Sequence, residues 1–281
     1  EAGRNTYRFY QSSMTDRAHE RLRRERALRR GVENQEFEVW FQPQIDLATG
    51  RFTGAEALVR WRDPDRGLIG PAEFIPLAER TGLIVPLGEQ VLRKVCQHAR
   101  EWERQKLHPG RLAINVALTQ LERSDFVAVM RACLEESQLG PGQLEIEITE
   151  SLIMENAAHV REVLLAIRAL GVGTSIDDFG TGYSSLAYLK QLPIDKLKID
   201  RAFVKDLPDD QNDVAITRTI IAMAHSMGFK VIAEGVETQA QRAFLQREGC
   251  DEAQGYLISR PLPADEFQAW LEARQTSQVR G

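Results

Sequence analysis

Eight short runs of apolar and β-branched residues alternate along this chain with stretches of helical periodicity, a pattern that few folds can accommodate. Residues 39–43 and 52–59 form the first two runs, and the short turn at Thr49 and Gly50 between them favours antiparallel pairing. The other six runs cover residues 112–116, 144–148, 173–177, 196–200, 230–234 and 254–258. This alternation predicts an α/β fold, a TIM-like (β/α)8 barrel with its first strand antiparallel.

Charged and amide side chains stand at or near the ends of the predicted strands. They are Glu56, Asn115, Glu147 with nearby Glu150, Asp177 with Asp178, Lys198 with Asp200, Glu234 with Glu237, and Gln254. In barrels of this kind the active site lies at the rim where the carboxyl ends of the strands meet. Because burying many carboxylates together is unfavourable without cations, the rim is expected to hold metal ions.

The ligand chemistry of this rim favours hard divalent cations. Oxygen donors dominate these positions, and histidine is nearly absent from them. Such sites suit Mg2+ or Mn2+ better than zinc or copper. An isolated Asp-Asp-x-Gly segment such as 177–180 is usually an ordinary polar turn after a strand. The prediction of a metal site therefore depends on the whole set of strand ends.

The overall charge and the cysteine content exclude several classes of protein. The 281 residues carry a formal net charge of -5, which argues against binding long nucleic acid. Cys96, Cys133 and Cys250 are far apart and form no CxxC pair, so neither a disulfide framework nor a zinc site is expected. There is no run of about 18 apolar residues and no signal-peptide pattern. We therefore expect a soluble, cytoplasmic domain, which can still belong to a membrane-anchored multidomain protein.

The chain is expected to divide into three parts. Residues 1–35 read as the tail of an upstream domain, with a strand end at 7–10, followed by an amphipathic linker helix over 14–34. The apolar positions on one face of that helix are Met14, Ala18, Leu22, Leu28 and Val32. Residues 36–273 form the barrel, and residues 274–281 are expected to be a flexible carboxyl-terminal tail.

Several motifs resemble, in order, those of the EAL-domain phosphodiesterases that open cyclic di-GMP. The matching segments read EALVRW at 56–61, NV at 115–116, EITE at 147–150, DDFGTGYSSL at 177–186, KIDR at 198–201, AEGVET at 233–238 and QGY at 254–256. The resemblance covers roughly residues 36–271. Residues 7–10 resemble the end of a GGDEF-like domain, which commonly precedes such a barrel.

The resemblance implies two Mg2+ or Mn2+ ions in each active site. One ion is held by the counterparts of Glu56, Asn115, Glu147 and Asp177. The second is held by the counterparts of Asp177, Asp178 and Glu234. Asp177 would then bridge the two ions.

The same resemblance implies catalytic roles and an oligomeric state. The counterpart of Lys198 touches the attacking water, and that of Glu234 acts as general base as well as metal ligand. Glu150 resembles a glutamate that fixes the loop at 179–185, and Glu237 lines the site. A homodimer is expected to form through the barrel helices near this loop.

Five residues are similar to those that contact the dinucleotide in the family. Gln42, Leu58 and Arg60 resemble the residues that grip it, and the planar fork of Arg60 suits a phosphate. Asp200 is similar to a residue beside the reacting phosphate, and Gln254 lines the site.

The expected function is that of a metal-dependent phosphodiesterase specific for cyclic guanylate, which hydrolyses cyclic di-GMP to linear pGpG with a water activated by two metal ions. One alternative is an inactive receptor that binds the dinucleotide and signals through the amino-terminal helix. Such receptors usually lack some metal ligands, whereas every ligand position is filled here. The other alternative is a barrel hydrolase that acts on unrelated phosphodiesters.

Overall fold

Eight strands close into a barrel in the computed structural model, which describes residues 12–123, 125–140, 142–150, 157–180 and 189–279. The strands are β1 (Phe37–Asp46), β2 (Phe52–Asp63), β3 (Gly67–Ile69), β4 (Arg111–Asn115), β5 (Leu144–Thr149), β6 (Gly173–Phe179), β7 (Lys196–Ile199), β8 (Lys230–Ala233), β9 (Glu252–Gln254) and β10 (Leu262–Pro263). The described helices are α1 (Ser12–Glu33), α2 (Pro71–Thr81), α3 (Ile84–Arg104), α4 (Leu118–Arg123), α5 (Phe126–Ser137), α6 (Ala157–Ala169), α7 (Gln211–Ser226), α8 (Gln239–Arg247) and α9 (Ala264–Val279).

The strand order around the barrel is β1, β2, β4, β5, β6, β7, β8, β9 and back to β1. β1 runs antiparallel to both of its barrel neighbours, β2 and β9, and every other neighbouring pair in the ring is parallel. The short strands β3 and β10 extend β2 and β1 outside the ring. The predicted α/β barrel with an antiparallel first strand is confirmed.

The last barrel strand lies earlier than the sequence predicts. We expected a strand over residues 254–258, but β9 stops at the first of these and the chain then turns. Two backbones approach closely here, since a Cβ on Gly255 would lie 2.2 Å from Val236 O. Leu257 N donates to the same oxygen at 3.0 Å. The chain therefore bends over the loop after β8 instead of continuing the sheet.

Helix α3 illustrates how apolar spacing covers the outside of the barrel. Leu87, Val91 and Val95 recur every four residues and are buried. Further along the helix, the Trp102 ring lies edge-on to Phe41 of β1, with the centroids 4.9 Å apart. These contacts attach α3 to the antiparallel strand.

The helix predicted over 14–34 is observed at Ser12–Glu33. Leu28 and Val32 are buried, whereas Leu22 is 51% exposed, so only part of the predicted apolar face packs against the barrel. The expected strand end at 7–10 lies outside the described residues.

The proposed domain limits stay a prediction. Helix α9 continues to Val279, so the end of a helix does not mark the expected boundary at residue 273. Among the helices that the structure describes, none is both long and apolar enough to cross a bilayer.

The barrel interior contains a polar layer below the strand ends. Residues two apart on a strand point to the same face. Lys196 therefore faces the same way as Lys198 on β7, and Glu145 faces the same way as Glu147 on β5. Lys196 Nζ is 2.7 Å from Glu252 Oε2 and 3.5 Å from Glu145 Oε2. Burial lowers the pKa of Lys196, but these carboxylates raise it more, so its pKa lies above the ordinary value. The ammonium group therefore stays charged.

Replacing Lys196 by methionine should destabilise the barrel. The substitution keeps most of the side-chain volume but leaves Glu252 buried without its cation, although Glu145 keeps Arg111 at 3.1 Å. Breaking a buried ion pair costs about 3–5 kcal/mol. Urea unfolding followed by circular dichroism measures the loss. In the matched control Lys205→Met, the lost partner is Asp206 at the surface, where both side chains are 58% exposed. That control should change the free energy of unfolding by less than about 0.5 kcal/mol, and equal stability of the two variants would contradict this role for the layer.

Candidate functional site

The predicted strand-end carboxylates converge around one ammonium group. Lys198 on β7 is fully buried. Its Nζ lies 2.6 Å from both Glu147 Oε2 and Glu234 Oε1. Asp177 Oδ1 and Glu56 Oε2 are 3.2 Å and 3.5 Å away from the same nitrogen. Four carboxylates on or just after four different strands thus share a single cationic side chain.

Two groups of carboxylates in this cluster are spaced closely enough to hold divalent cations. Glu56, Glu147 and Asp177 each offer an oxygen, and these oxygens lie within 4.8 Å of one another. Asp177, Asp178 and Glu234 form a second group with the same spacing. Asp177 belongs to both groups, which is the arrangement that the family resemblance implies.

The donor set of the cluster fits hard divalent cations. Asn115 lies beside Glu56 and donates from Nδ2 to Oε1 at 2.7 Å, so the fourth expected ligand of the first ion is also in place. Among the described residues, Glu147 Oε1 is buried and accepts no hydrogen bond. A buried carboxylate oxygen without a donor is unfavourable unless a cation satisfies it. The oxygen-only set therefore suits Mg2+ or Mn2+.

Burial and neighbouring charges shift the pKa values of the cluster. Burial raises the pKa of Glu234 to about 8, although the ammonium of Lys198 opposes the shift. Burial and the charge of Asp177 raise the pKa of Asp178 to about 6. Burial also acts to raise the pKa of Glu56, but Lys198 and the amide donors outweigh it and the pKa falls. In the metal-free protein, burial therefore favours the protonated form of Glu234, whereas Lys198 favours the ionised form.

A sharp turn at the end of β6 presents both aspartates to the site. The pairing of β6 with β7 is irregular between Ile176 and Phe179. Asp178 has φ 54°, in the left-handed region that few residues other than glycine adopt. Its N–H donates to Asp177 Oδ1 at 2.9 Å. Neighbouring side chains of a regular strand point to opposite faces, so this turn is what allows two adjacent carboxylates to meet at one site.

Glu150 anchors the start of the following loop. The side chain is buried, and its Oε2 accepts a hydrogen bond from Gly180 N at 2.9 Å. This contact agrees with the expectation that Glu150 fixes the loop at 179–185. Residues 181–188 lie outside the described part of the chain, so the remainder of the loop stays a prediction.

Leu58 and Arg60, two of the residues expected to grip the substrate, stand on β2 near the acidic cluster. Leu58 borders a cavity of about 670 Å³ that also reaches Asn115 and Glu147. Other residues lining it are Ile75, Ile84, Leu87, Val91 and Val116. The Arg60 guanidinium carbon lies 5.5 Å from the ring centroid of Trp40. Apolar surface is thus available next to the carboxylates.

Gln254 connects the carboxylate cluster to Gln42, the third of the residues expected to grip the substrate. Its Nε2 donates to Glu56 Oε2 at 2.6 Å and to Gln42 Oε1 at 3.0 Å. Gln44, which sequence reasoning missed, donates from Nε2 to Gln254 Oε1 at 2.8 Å. Its distance of two positions from Gln42 could have indicated it, because residues two apart on a strand face the same side.

Asp200 lies at the site, whereas Glu237 lies toward the surface. The Asp200 side chain hydrogen-bonds with that of Asp178. Glu237 Oε1 accepts a hydrogen bond from Arg201 Nη2 at 2.7 Å, and both side chains are exposed. Within the described residues, no ion pair joins Glu237 to the cluster. Arg201, which the KIDR motif contains but to which the sequence assigned no role, packs over Gly235 so closely that a Cβ there would lie 2.3 Å from Arg201 Cγ.

Comparison with known proteins identifies relatives of this barrel. The chain is 44% identical over 267 residues to the bifunctional diguanylate cyclase/cyclic di-GMP phosphodiesterase MucR of Pseudomonas aeruginosa, covering 95% of this chain and 39% of that protein. It is 44% identical over 271 residues to the cyclic di-GMP phosphodiesterase NbdA of the same organism, covering 96% of this chain and 35% of that protein. The chain thus spans little more than a third of the length of these relatives.

A solved structure and a family model agree with this relationship. The structure described as PaMucR phosphodiesterase in complex with c-di-GMP matches with a TM-score of 0.83 and 43% sequence identity, covering 87% of this chain and 99% of that chain. The model of the EAL domain matches residues 25–261. The resemblance seen in the motifs is therefore confirmed, and this chain belongs to the EAL domain family.

Proposed function

We propose that this chain hydrolyses cyclic di-GMP to linear pGpG. The observation that carries the proposal is the convergence of all six expected metal-ligand residues at the mouth of the barrel, beside an apolar cavity. Two relatives are named as cyclic di-GMP phosphodiesterases, and a similar solved structure is described as a complex with that dinucleotide.

Two divalent cations, Mg2+ or Mn2+, are the proposed cofactors. The residues that would hold the first are Glu56, Asn115, Glu147 and Asp177. Those that would hold the second are Asp177, Asp178 and Glu234. When bound, such a pair of cations lowers the pKa of a water and offsets negative charge on the phosphate.

The side chains of the chain itself supply orientation and proton transfer. Lys198 is held in place by four carboxylates and orients the attacking water electrostatically. Glu234, which would lose its own proton when a cation binds, accepts the proton that this water loses. Arg60 donates two parallel N–H bonds to a phosphate. Attack in line with the departing 3′ oxygen leaves a 5′-phosphate, so the product is pGpG.

Incubation of the purified chain with Mg2+ and cyclic di-GMP tests the proposal. Chromatography should show conversion to pGpG, and chelation of the cation by EDTA should stop it. A dinucleotide that binds but stays cyclic would contradict the proposal and favour a receptor. Cleavage of cyclic di-AMP and other diesters at the same rate would contradict specificity for cyclic guanylate.

The affinity for Mn2+ should rise with pH between about pH 6 and pH 9. Burial raises the pKa of Glu234 to about 8 and that of Asp178 to about 6. Below these values the carboxyls are protonated, so the cation must displace protons and binds more weakly, by up to about tenfold per pH unit for each proton. Isothermal titration calorimetry in buffers of different ionisation enthalpy measures both the affinity and the proton release.

The control for this pH dependence is Glu234→Gln, which removes the higher of the two titrating groups. This variant should bind Mn2+ more weakly at high pH and show a smaller slope above pH 7. An affinity of the unmodified chain that does not change with pH would contradict the coupling of cation and proton.

We also propose three features of the setting in which the barrel works. The first is a homodimer through the barrel helices near the loop that follows Asp178, which sedimentation velocity would distinguish from a monomer. The second is an upstream GGDEF-like domain, supported by the name of MucR as a bifunctional cyclase and phosphodiesterase. The third is a cytoplasmic location. Long nucleic acid is not an expected partner at a net charge of -5.

A further inference from the structure

Two buried glutamines on the antiparallel strand β1 belong to a chain of hydrogen bonds that reaches the acidic cluster. Gln42 and Gln44 lie two positions apart on β1 and therefore share one face. The register places Gln42 directly opposite Glu56 of β2, and Gln44 directly opposite Gln254 of β9. All four side chains are buried, with Gln44 only 2% exposed. Neither the motifs nor the family resemblance assigns a role to Gln44.

Hydrogen bonds link these residues in one direction. Gln44 Nε2 donates to Gln254 Oε1 at 2.8 Å. Gln254 Nε2 then donates both to Glu56 Oε2 and to Gln42 Oε1, at 2.6 Å and 3.0 Å. Gln42 Nε2 in turn donates to Ser259 O at 3.1 Å, in the segment between β9 and β10.

The chemistry of Glu56 determines this direction. An ionised carboxylate only accepts hydrogen bonds, so Gln254 must turn its NH2 group toward Glu56. The amide oxygen of Gln254 then faces the opposite way, into the barrel. Without the hydrogen bond from Gln44, this oxygen of Gln254 would be buried without a partner, which is unfavourable. The opposite orientation of the amide would place its oxygen against the carboxylate.

We propose that Gln44 is a positioning residue that fixes the amide orientation of Gln254 and thereby the metal ligand Glu56. The inference rests on the proposed function, in which Glu56 holds a divalent cation. Gln44 donates to Gln254, itself one of the expected substrate residues, and acts on the proposed cation ligand Glu56 through that amide. Because Gln254 also donates to Gln42, the same amide orients the side chain of one residue that is expected to contact the substrate.

A double-mutant cycle on the whole chain tests this role, with Mn2+ affinity measured by calorimetry in the absence of substrate. Gln44→Met keeps a similar volume but removes the donor, and it should weaken Mn2+ binding by about 10-fold to 100-fold, as is typical when a residue that orients a metal ligand is lost. Gln254→Met should weaken binding to a similar degree. If Gln44 acts through Gln254, adding Gln44→Met to the Gln254→Met variant should change the affinity by less than about twofold. Full additivity of the two losses would overturn the proposal.

Gln44→Lys is the rescue variant, because an ammonium group can donate to Gln254 Oε1 as the amide does. An added positive charge near the site would by itself weaken cation binding, so Mn2+ affinity retained within about threefold, set against the loss in Gln44→Met, would come from the restored donor. Affinity as low as that of Gln44→Met would overturn the proposal. If Gln44→Met does not fold, which thermal unfolding would reveal, Gln44→Glu replaces it, because an ionised carboxylate cannot donate to Gln254 Oε1. Its negative charge would by itself strengthen cation binding, so weaker Mn2+ binding would support the proposal and unchanged or tighter binding would overturn it.

Separate measurements distinguish this inference from the proposed function. A chain that binds Mn2+ and shows the expected coupling, yet leaves cyclic di-GMP intact, would contradict the hydrolytic function and support the role of Gln44. A chain that produces pGpG but shows additive losses would contradict only the role of Gln44.

Discussion

Asp177→Asn should lower the rate of cyclic di-GMP hydrolysis by about 10²-fold to 10³-fold or more. Asp177 is the residue shared by the two carboxylate groups, with Glu56 and Glu147 on one side and Asp178 and Glu234 on the other. The substitution keeps the shape of the side chain but removes the charge that would stabilise both cations, and the loss of one well-placed electrostatic group costs about this much. Formation of pGpG at saturating Mg2+, followed by chromatography, measures the effect.

The matched control for this variant is Asp209→Asn. Asp209 is exposed and lies in the turn before α7, so the same chemical change there should leave the rate unchanged. Both variants should unfold at nearly the same temperature as the unmodified chain when Mg2+ is absent. Near-normal turnover of Asp177→Asn would contradict the assignment of two cations to these groups.

Lys198→Met should abolish most of the activity and also destabilise the metal-free protein. The ammonium group is fully buried among four carboxylates, which raise its pKa well above the ordinary value although burial alone would lower it. Removing one partner of a buried charge network costs about 3–5 kcal/mol, because the remaining charges stay uncompensated. Urea unfolding in EDTA measures this loss of stability.

Mg2+ should restore part of the stability of Lys198→Met but little of its activity. Bound cations can neutralise the carboxylates that Lys198 no longer balances, whereas the orientation of the water depends on the lysine itself. Lys205→Met again serves as the control, since its exposed ammonium pairs only at the surface. A Lys198→Met protein as stable in EDTA as this control would show that the lysine does not hold the cluster together.

Much of the architecture could be predicted because hydrophobic periodicity reports directly on burial. The runs that became β1, β2 and β4 to β8 were located within a few residues, and the turn at Thr49 and Gly50 indicated the antiparallel start. The last strand was misplaced because its end depends on the approach of Gly255 to Val236, two segments far apart in sequence. Local pattern carries no information about such a contact.

The site could be predicted at the level of residue types but not at the level of contacts. Carboxylates at successive strand ends indicated a cation site, and Glu56, Glu147 and Asp177 do lie together. Lys196 and Gln44 were missed, although each lies two residues from a predicted site residue on the same strand. A buried polar residue at that spacing is ambiguous in sequence, because its partners come from other strands and become known only when the barrel closes.

The measurement that tests the central claim most directly is anomalous diffraction from crystals of this chain grown with Mn2+. The account predicts two anomalous peaks at the mouth of the barrel. One peak should lie among Glu56, Asn115, Glu147 and Asp177, and the other among Asp177, Asp178 and Glu234. A barrel mouth without any peak at a Mn2+ concentration that supports hydrolysis would contradict it.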